Sequence, residues 1–379
     1  MAGANANLHK AKDAKNDEFY TQLTDVAKEL MHYKQHFKDK IVLCNCDDPT
    51  WSAFWKYFHL NFAELGLKKL ISTHYDRTEA TYKMEYTGGD DNDIEAGVRT
   101  PLEGNGDFRN QECLDLLDEC DIVVTNPPFS LFREYVAVLM EHKKKFIILG
   151  NMNALTYKEI FPLFRDNQLW YGASIHSGDR KFYVPNDYPL KASGCGIDES
   201  GKRFIRVKGV RWFTNLDYPA RHEKLILWKN YTPEEYPKYD NYDAINVNKY
   251  AEIPVDYDGV MGVPITFMDF YCPEQFEIVA FRKGKDGKDL VFTREREREF
   301  NRTFVSLYDV DSGDDKKRRR QNQWETYLCE NNNQTEIEPI DYFYPLSIKS
   351  RAAGTMNGLI NGKETYRRIL IKYRKDDCV

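Results

Sequence analysis

The chain has no long apolar run. Stretches such as Phe146-Ile147-Ile148-Leu149 fall far short of the roughly 20 residues needed to cross a bilayer. The first residues, Met1-Ala2-Gly3-Ala4-Asn5, lack the basic-then-apolar pattern of a secretion signal, so the cytoplasm is the expected compartment and no membrane partner is expected. There is no Cys-x-x-Cys pair and no His-Glu-x-x-His helix, which removes the usual frameworks for zinc and dithiol chemistry. No metal is expected. The eight cysteines are scattered, with only Cys44 and Cys46 close together; most are expected to be reduced and many buried. No internal repeat is visible. An overall positive charge is also missing: the chain carries −6 at neutral pH.

What is present is enough for a folded protein of two domains. The length is 379 residues, with 41% hydrophobic and 30% charged side chains, which fits a sizeable core and argues against disorder. The charge is unevenly spread. Residues 281–379 carry a net +4, whereas residues 1–280 carry −10. A basic C-terminal part on an acidic body suits a nucleic-acid-reading module attached to an enzyme core. The run Lys316-Lys317-Arg318-Arg319-Arg320 concentrates that charge as a candidate phosphate contact, although a solvated loop accounts for it equally well.

Periodicity sets out the organisation. After a polar stretch of about fifteen residues, Val26, Leu30 and Phe37 recur at helical spacing. Ile41-Val42-Leu43-Cys44 reads as a buried strand. Asp48-Pro49 reads as a helix start for the segment carrying Trp51, Phe54, Trp55, Phe58, Phe62 and Leu65, with Gly66 as its stop. Further strands are predicted at Lys69–Ser72, Asp121–Thr125 and Phe146–Leu149. Helices are predicted near Gln111–Leu117, from Ser130 to His142, and near Tyr157–Asp166, and a loop-rich stretch holds Gly88-Gly89 and Gly104-Asn105-Gly106. This alternation predicts an α/β fold, a mainly parallel sheet with helices on both faces. In such sheets ligands bind beyond the carboxyl ends of the strands. Residues 168–230 look antiparallel, with strands at Lys181–Val184 and Val210–Phe213. The expected divisions are an N-terminal arm and helix (1–40), a core (41–230), a Tyr- and Pro-rich connector (231–258), and a C-terminal mixed α+β region (259–379) with a charged helix-like run at Arg294–Phe300.

The most informative residues are Asn126-Pro127-Pro128-Phe129, directly after a predicted strand. A rigid turn with a packed phenylalanine would account for them, but the chemistry on offer is more specific. A ring-conjugated exocyclic amine is a poor nucleophile because its lone pair is delocalised. Acceptors that hold both of its N–H groups localise the lone pair and aim it. The side-chain oxygen of Asn126 and the carbonyl of Pro127 supply two such acceptors, and consecutive prolines stiffen the loop. Phe129 offers a face on which an extruded base can stack.

This tetrapeptide, with Cys44-Asn45-Cys46-Asp47-Asp48-Pro49, Gly209–Leu216 and Gly259–Pro264, resembles the EcoRI-type family of adenine-N6 DNA methyltransferases over nearly the whole chain. The resemblance implies a Rossmann-like methyltransferase sheet, S-adenosylmethionine as donor, base flipping of adenine in double-stranded DNA, and a C-terminal target-recognition region. A cognate restriction endonuclease as partner is a further expectation. The family's cofactor motifs fall on Phe19-Tyr20-Thr21, on the first strand-to-helix loop and on Gly106-Asp107-Phe108. In that first loop Asn45, Cys46, Asp47, Asp48 and Pro49 stand where other methyltransferases have glycines. Either Asp47 or Asp48 is a candidate for the donor's ammonium, the other being a helix cap. Asp107 is expected to accept from the donor's adenine, and Phe108 to line its ring. The chain departs from the pattern at Leu70–Tyr75, which lacks the usual acid for the ribose; Asp76 is the nearest candidate. Trp51, Trp55, Phe58 and His74 read as packing residues. No Pro-Cys nucleophile exists, which disfavours carbon-5 cytosine methylation. The rival readings are methylation of an RNA guanine amine or a protein glutamine, and a non-catalytic DNA-binding protein with a decayed methyltransferase fold.

Overall fold

A computed structural model describes residues 20–75, 80–184, 188, 190, 194–239, 243–281, 359–360 and 363–374. Asp76, the run Arg294–Phe300 and the basic residues Lys316, Lys317, Arg318, Arg319 and Arg320 lie outside the described residues. The chain divides into two compact units: the first runs to Leu163 and continues through Gln168–Arg221, and the second comprises Phe164–Asn167 and everything from His222 onward. Among the described residues no helix is long and apolar enough to cross a membrane.

The first unit is built on an eight-stranded mixed sheet. Its strands are β1 (Ile41–Cys44), β2 (Lys69–Thr73), β3 (Tyr82–Tyr86), β4 (Val98–Pro101), β5 (Ile122–Thr125), β6 (Lys145–Asn151), β7 (Trp170–Tyr171) and β11 (Val210–Thr214), in the order β4-β3-β2-β1-β5-β6-β11-β7. The central four, β2-β1-β5-β6, are parallel, and the flanking strands are antiparallel. β1 and β5 are fully buried along their length, as expected of parallel strands that read as continuous apolar runs. The chain lays down β2 on one side of β1 and β5 on the other, so the strand order reverses between β1 and β5. That places a topological switch point there, with its crevice beyond their carboxyl ends.

The helices are α1 (Leu23–Leu30), α2 (Ala53–Leu60), α3 (Phe62–Leu65), α4 (Gln111–Glu119) and α5 (Phe132–Glu141). α1 and α2 share a core cluster with Val42, Cys44, Leu70, Val124, Leu149 and Trp212. The fully buried rings of Phe54, Trp55 and Phe58 each contribute about 1.5–3 kcal/mol by burial. Glu29 of α1 is buried as well, and its carboxylate accepts from the amides of Ala173 and Ser174, each at 2.8 Å, and from the Tyr33 hydroxyl at 2.9 Å.

Three local expectations are corrected. The helix after β1 begins at Ala53, not at Pro49, because Ser52 rather than Asp48 accepts the first amides, those of Phe54 and Trp55. It also breaks at Asn61 before Gly66 ends it in the left-handed region. The stretch read as loop contains β3 and β4, which extend the sheet. The predicted strands at 181–184 and 210–213 belong to different sheets: β11 joins the main sheet beside β6, whereas β8 (Asp179–Tyr183) forms a small antiparallel sheet with β10 (Arg203–Lys208) and β9 (Gly196–Ile197).

The second unit contains a four-stranded sheet, β12 (Ile245–Asn246), β13 (Met261–Val263), β17 (Ile369–Tyr373) and β14 (Phe276–Phe281), in that spatial order. A short hairpin, β15 (Leu359–Ile360) with β16 (Lys363–Glu364), precedes β17. Tyr239, Ala244, Val279, Ala280 and Leu370 form a core cluster. Two tyrosines of the expected connector, Tyr236 and Tyr239, are buried in this unit. Tyr239 donates to the Asn246 side chain at 2.8 Å.

Candidate active site

Three loops leave the carboxyl ends of neighbouring parallel strands and are tied together by side chains. From β1 come Asn45–Pro49, from β2 come His74 and Tyr75, and from β5 comes Asn126-Pro127-Pro128-Phe129. The Thr125 hydroxyl, at the end of β5, donates to the Asn45 carbonyl, and the Tyr135 hydroxyl of α5 donates to the Asn45 side-chain oxygen. Burial pushes the Tyr135 phenol well above its ordinary range, which keeps it a donor. The Tyr135 ring meets Phe108 edge-on at 4.9 Å, so Asn45, Tyr135 and buried Phe108 form one continuous block. Gly106 completes it. Its φ is +73°, and a Cβ there would stand 2.3 Å from the His74 carbonyl oxygen. Only a residue without a side chain brings the 106–108 loop this close to the end of β2.

The β1 loop owes its shape to side-chain hydrogen bonds rather than to glycines. Cys46 adopts φ +61° without being glycine. Ser72 of β2 donates to the carbonyls of Cys44 and Asp47 at 3.0 and 2.7 Å, and Ser52 donates to the Asp47 carboxylate at 2.5 Å. Asp48 accepts from the Thr50 amide and hydroxyl and from the Tyr82 hydroxyl, each at 2.8 Å, and lies 2.9 Å from His74 Nδ1. Burial acts to raise the Asp48 carboxyl, but these donors outweigh it and hold it well below the usual carboxylate range. Burial and the Asp48 charge in turn push the Tyr82 phenol up to about 12. Neither aspartate caps α2.

Each sequence-derived candidate that the structure describes lies in the first unit. Tyr20 pairs through its backbone with Tyr183, and its ring meets Trp51 at 3.9 Å between centroids. That contact brings the N-terminal motif to the β1 loop. The Thr21 hydroxyl is shielded from solvent and has no hydrogen-bond partner among the described residues. Asp107 receives Arg109 through two bonds, 2.9 and 2.7 Å, and Arg109 also reaches Glu134 at 3.0 Å. Asn126 is half-buried with its Oδ1 away from solvent, and Pro127 is buried. Pro128 accepts from the Leu131 amide at 3.0 Å, closing a turn that half-buries Phe129 against the core. Sequence reasoning missed Thr125, Tyr135, Ser52, Ser72, Tyr82 and Arg109, and gave His74 only a packing role. Of these only Thr125 and Arg109 adjoined a motif. Among the described residues no group of three or more His, Cys, Asp or Glu is placed to hold a metal ion.

An Asn-Pro-Pro-aromatic loop at the topological switch point of an α/β sheet is the arrangement expected of a methyltransferase of the amino-methylating class. The family described as "Adenine-specific methyltransferase EcoRI" matches residues 7–374, and the chain belongs to it. Among curated relatives, the type II methyltransferase M.EcoRI of Escherichia coli is 49% identical over 300 residues, 76% of this chain and 92% of that protein. The type II methyltransferase M.MpnI of Mycoplasma pneumoniae is 42% identical over 276 residues, 72% and 84% of the two chains. M.MgeORF184P of Mycoplasma genitalium is 40% identical over 279 residues, 72% and 85%. No solved structure matches the chain. The protein is therefore a site-specific adenine methyltransferase of DNA.

Proposed function

We propose that the first unit is a Rossmann-like methyltransferase domain whose crevice between β1 and β5 takes S-adenosylmethionine, and that Asn126-Pro127-Pro128-Phe129 receives a flipped adenine. The observation that carries this reading is the convergence of the Asn45, Phe108 and Asn126 loops at one end of adjacent parallel strands, locked by Tyr135 and Thr125. The residues present fit the donor. The shielded Thr21 hydroxyl suits a polar group of its methionine end, because buried polar atoms are nearly always bonded. Phe108 offers an apolar wall. Asp47 and Asp48 are already committed to neighbouring donors, and Asp48 Oδ1 is saturated by three of them. A carboxylate nonetheless offers about four acceptor sites, so Asp47, and Asp48 through Oδ2, can each also take an ammonium. Tyr20, Cys46, Pro49, Asp76 and Asp107 complete the proposed pocket. S-adenosylmethionine, when bound, supplies a sulfonium methyl group for direct in-line transfer.

The chain's own residues supply positioning. The Asn126 side-chain oxygen and the Pro127 carbonyl accept the two amine hydrogens, so the nitrogen lone pair is drawn out of the ring and aimed at the donor. Pro127 and Pro128 fix the loop, and Phe129 stacks on the base. The basic C-terminal region, including Lys316–Arg320, serves target recognition through phosphate contacts. A cognate endonuclease completes a restriction–modification pair, with the protein in the cytoplasm. The test is Asn126→Ala. It should nearly abolish transfer of labelled methyl to duplex DNA while donor affinity by calorimetry stays near wild type. Phe129→Trp should retain more activity than Phe129→Ala, and wild-type turnover by Asn126→Ala would sink the assignment.

A further inference from the structure

The small sheet β8-β10-β9 carries an outer face that the catalytic reading leaves unused. Alternation and register assign its sides. Phe182, Ile205 and Val207 pack into the core cluster, so the cross-strand neighbours Tyr183 and Phe204, and Lys181 and Arg206, lie on the other side with Lys208. There the Lys181 ammonium sits over both rings, 4.8 Å from the Tyr183 centroid and 4.4 Å from that of Phe204. Lys202 approaches Tyr183 at 5.5 Å. Asp198 fixes this array by accepting from Lys181 at 3.1 Å and from the Tyr183 hydroxyl at 2.8 Å. Lys202, Arg206 and Lys208 are exposed, and Arg206 pairs with Asp179 at 3.3 Å. Residues 179–208 carry a net +3 within a body whose first 280 residues sum to −10.

The position of this face matters as much as its charge. Asn151, the last residue of β6, donates to the Lys208 carbonyl at 3.1 Å, so Lys208 stands at the same end of the parallel strands as Asn126. β8 meanwhile pairs with Tyr20, whose ring touches the β1 loop. We infer that the outer face of β8-β10-β9, through Lys202, Arg206 and Lys208, grips the phosphate backbone of duplex DNA beside the adenine that enters the crevice. The occupant follows from charge: ordered cations interleaved with aromatic rings suit a polyanion that presents bases, next to a site whose substrate is DNA. The inference rests on the reading of Asn126 as the target-binding loop.

The experiment compares Lys202→Gln with Lys208→Gln as a pair against Lys38→Gln with Lys68→Gln. The second pair removes equal charge just before β1 and β2, at the opposite ends of the parallel strands. Duplex binding is followed by fluorescence anisotropy across a salt series, and S-adenosylmethionine binding by calorimetry. The first pair should weaken duplex binding several-fold and flatten the slope of log K against log salt by about 0.9 per lost contact, with donor affinity unchanged. The control pair should leave the slope as in wild type. Lys202→Arg with Lys208→Arg should restore it. An unchanged slope in the first pair, or equal losses in both pairs, overturns the inference. If the first pair disturbs donor binding, Lys208→Gln alone decides, with a loss of about 0.9 expected and no loss overturning it. Failure of the underlying reading shows up separately, as wild-type protein that binds duplex but does not depend on Asn126 for methylation.

Discussion

Asp107 and Asp48 differ in what they are free to do. Asp107 holds Arg109 at two points, but Arg109 keeps a second acid in Glu134, so removing Asp107 leaves the guanidinium paired. Asp107→Ala should therefore cost chiefly donor affinity, roughly 1–3 kcal/mol for a bond to a charged acceptor, read by calorimetry. Unchanged affinity would move the donor's adenine elsewhere. Asp48 is surrounded by donors that lower its carboxyl below the ordinary range, and its contribution to stability has a definite sign with pH. It is fully present above the unfolded value of about 3.9 and is lost as pH falls toward the lower folded value. Asp48→Asn should lower the thermal midpoint at neutral pH, and the gap from wild type should narrow below about pH 4. A gap that stays constant would mean that the ionised carboxylate adds nothing beyond its shape. Asn126-Pro127-Pro128-Phe129 was legible at this scale because its four residues are contiguous. Tyr135 and Tyr82 were not, because each acts on a loop that only the fold brings beside it.

Elements were legible where burial dictates composition. β1, the first three residues of β5 and the middle of β6 are unbroken, fully buried apolar runs, and runs this short between polar clusters favour strand over helix. β4 escaped notice for the opposite reason. Val98-Arg99-Thr100-Pro101 is exposed throughout, so its strand character comes from backbone pairing with β3 at the sheet edge, where proline is tolerated. The helix start misread at Asp48 shows two competent cap residues four apart. Asp48 is drawn away by Tyr82 and His74, which leaves Ser52 to cap. The loop carrying Gly106 supplies a prediction at this scale. Gly106→Ala places a methyl 2.3 Å from a carbonyl oxygen at positive φ, so the 106–108 loop must move off the end of β2. Stability should fall by about 1–3 kcal/mol and donor affinity with it. Amide exchange at His74 and Tyr75 should quicken, and wild-type exchange there would show that the loops are not in register for binding.

At the scale of the whole molecule, the sequence between β14 and β17 holds Lys316–Arg320. Neutralising those five residues should weaken binding to all duplexes alike and flatten the salt slope, with little change in site preference. If β10 contacts separate phosphates, a variant combining both sets of replacements should lose the sum of the two slopes. An identical slope for the Lys316–Arg320 variant and wild type would mark that run as a solvated loop. The spatial order β12-β13-β17-β14 has a consequence of another kind, in the timing of synthesis. β17 lies between β13 and β14 although, of the four described strands of this sheet, it is the last to be made, so the sheet cannot close until Ile369–Tyr373 has left the ribosome. The first unit's chain ends at Arg221 and can fold while the remainder is translated, an interval on the order of ten to thirty seconds at typical elongation rates. A premature stop between Phe281 and Ile369 would leave β13 and β14 without the strand that joins them, each with an open edge that is a template for pairing with another nascent chain. Nonsense variants truncated near the carboxyl terminus should therefore aggregate rather than yield a smaller working enzyme.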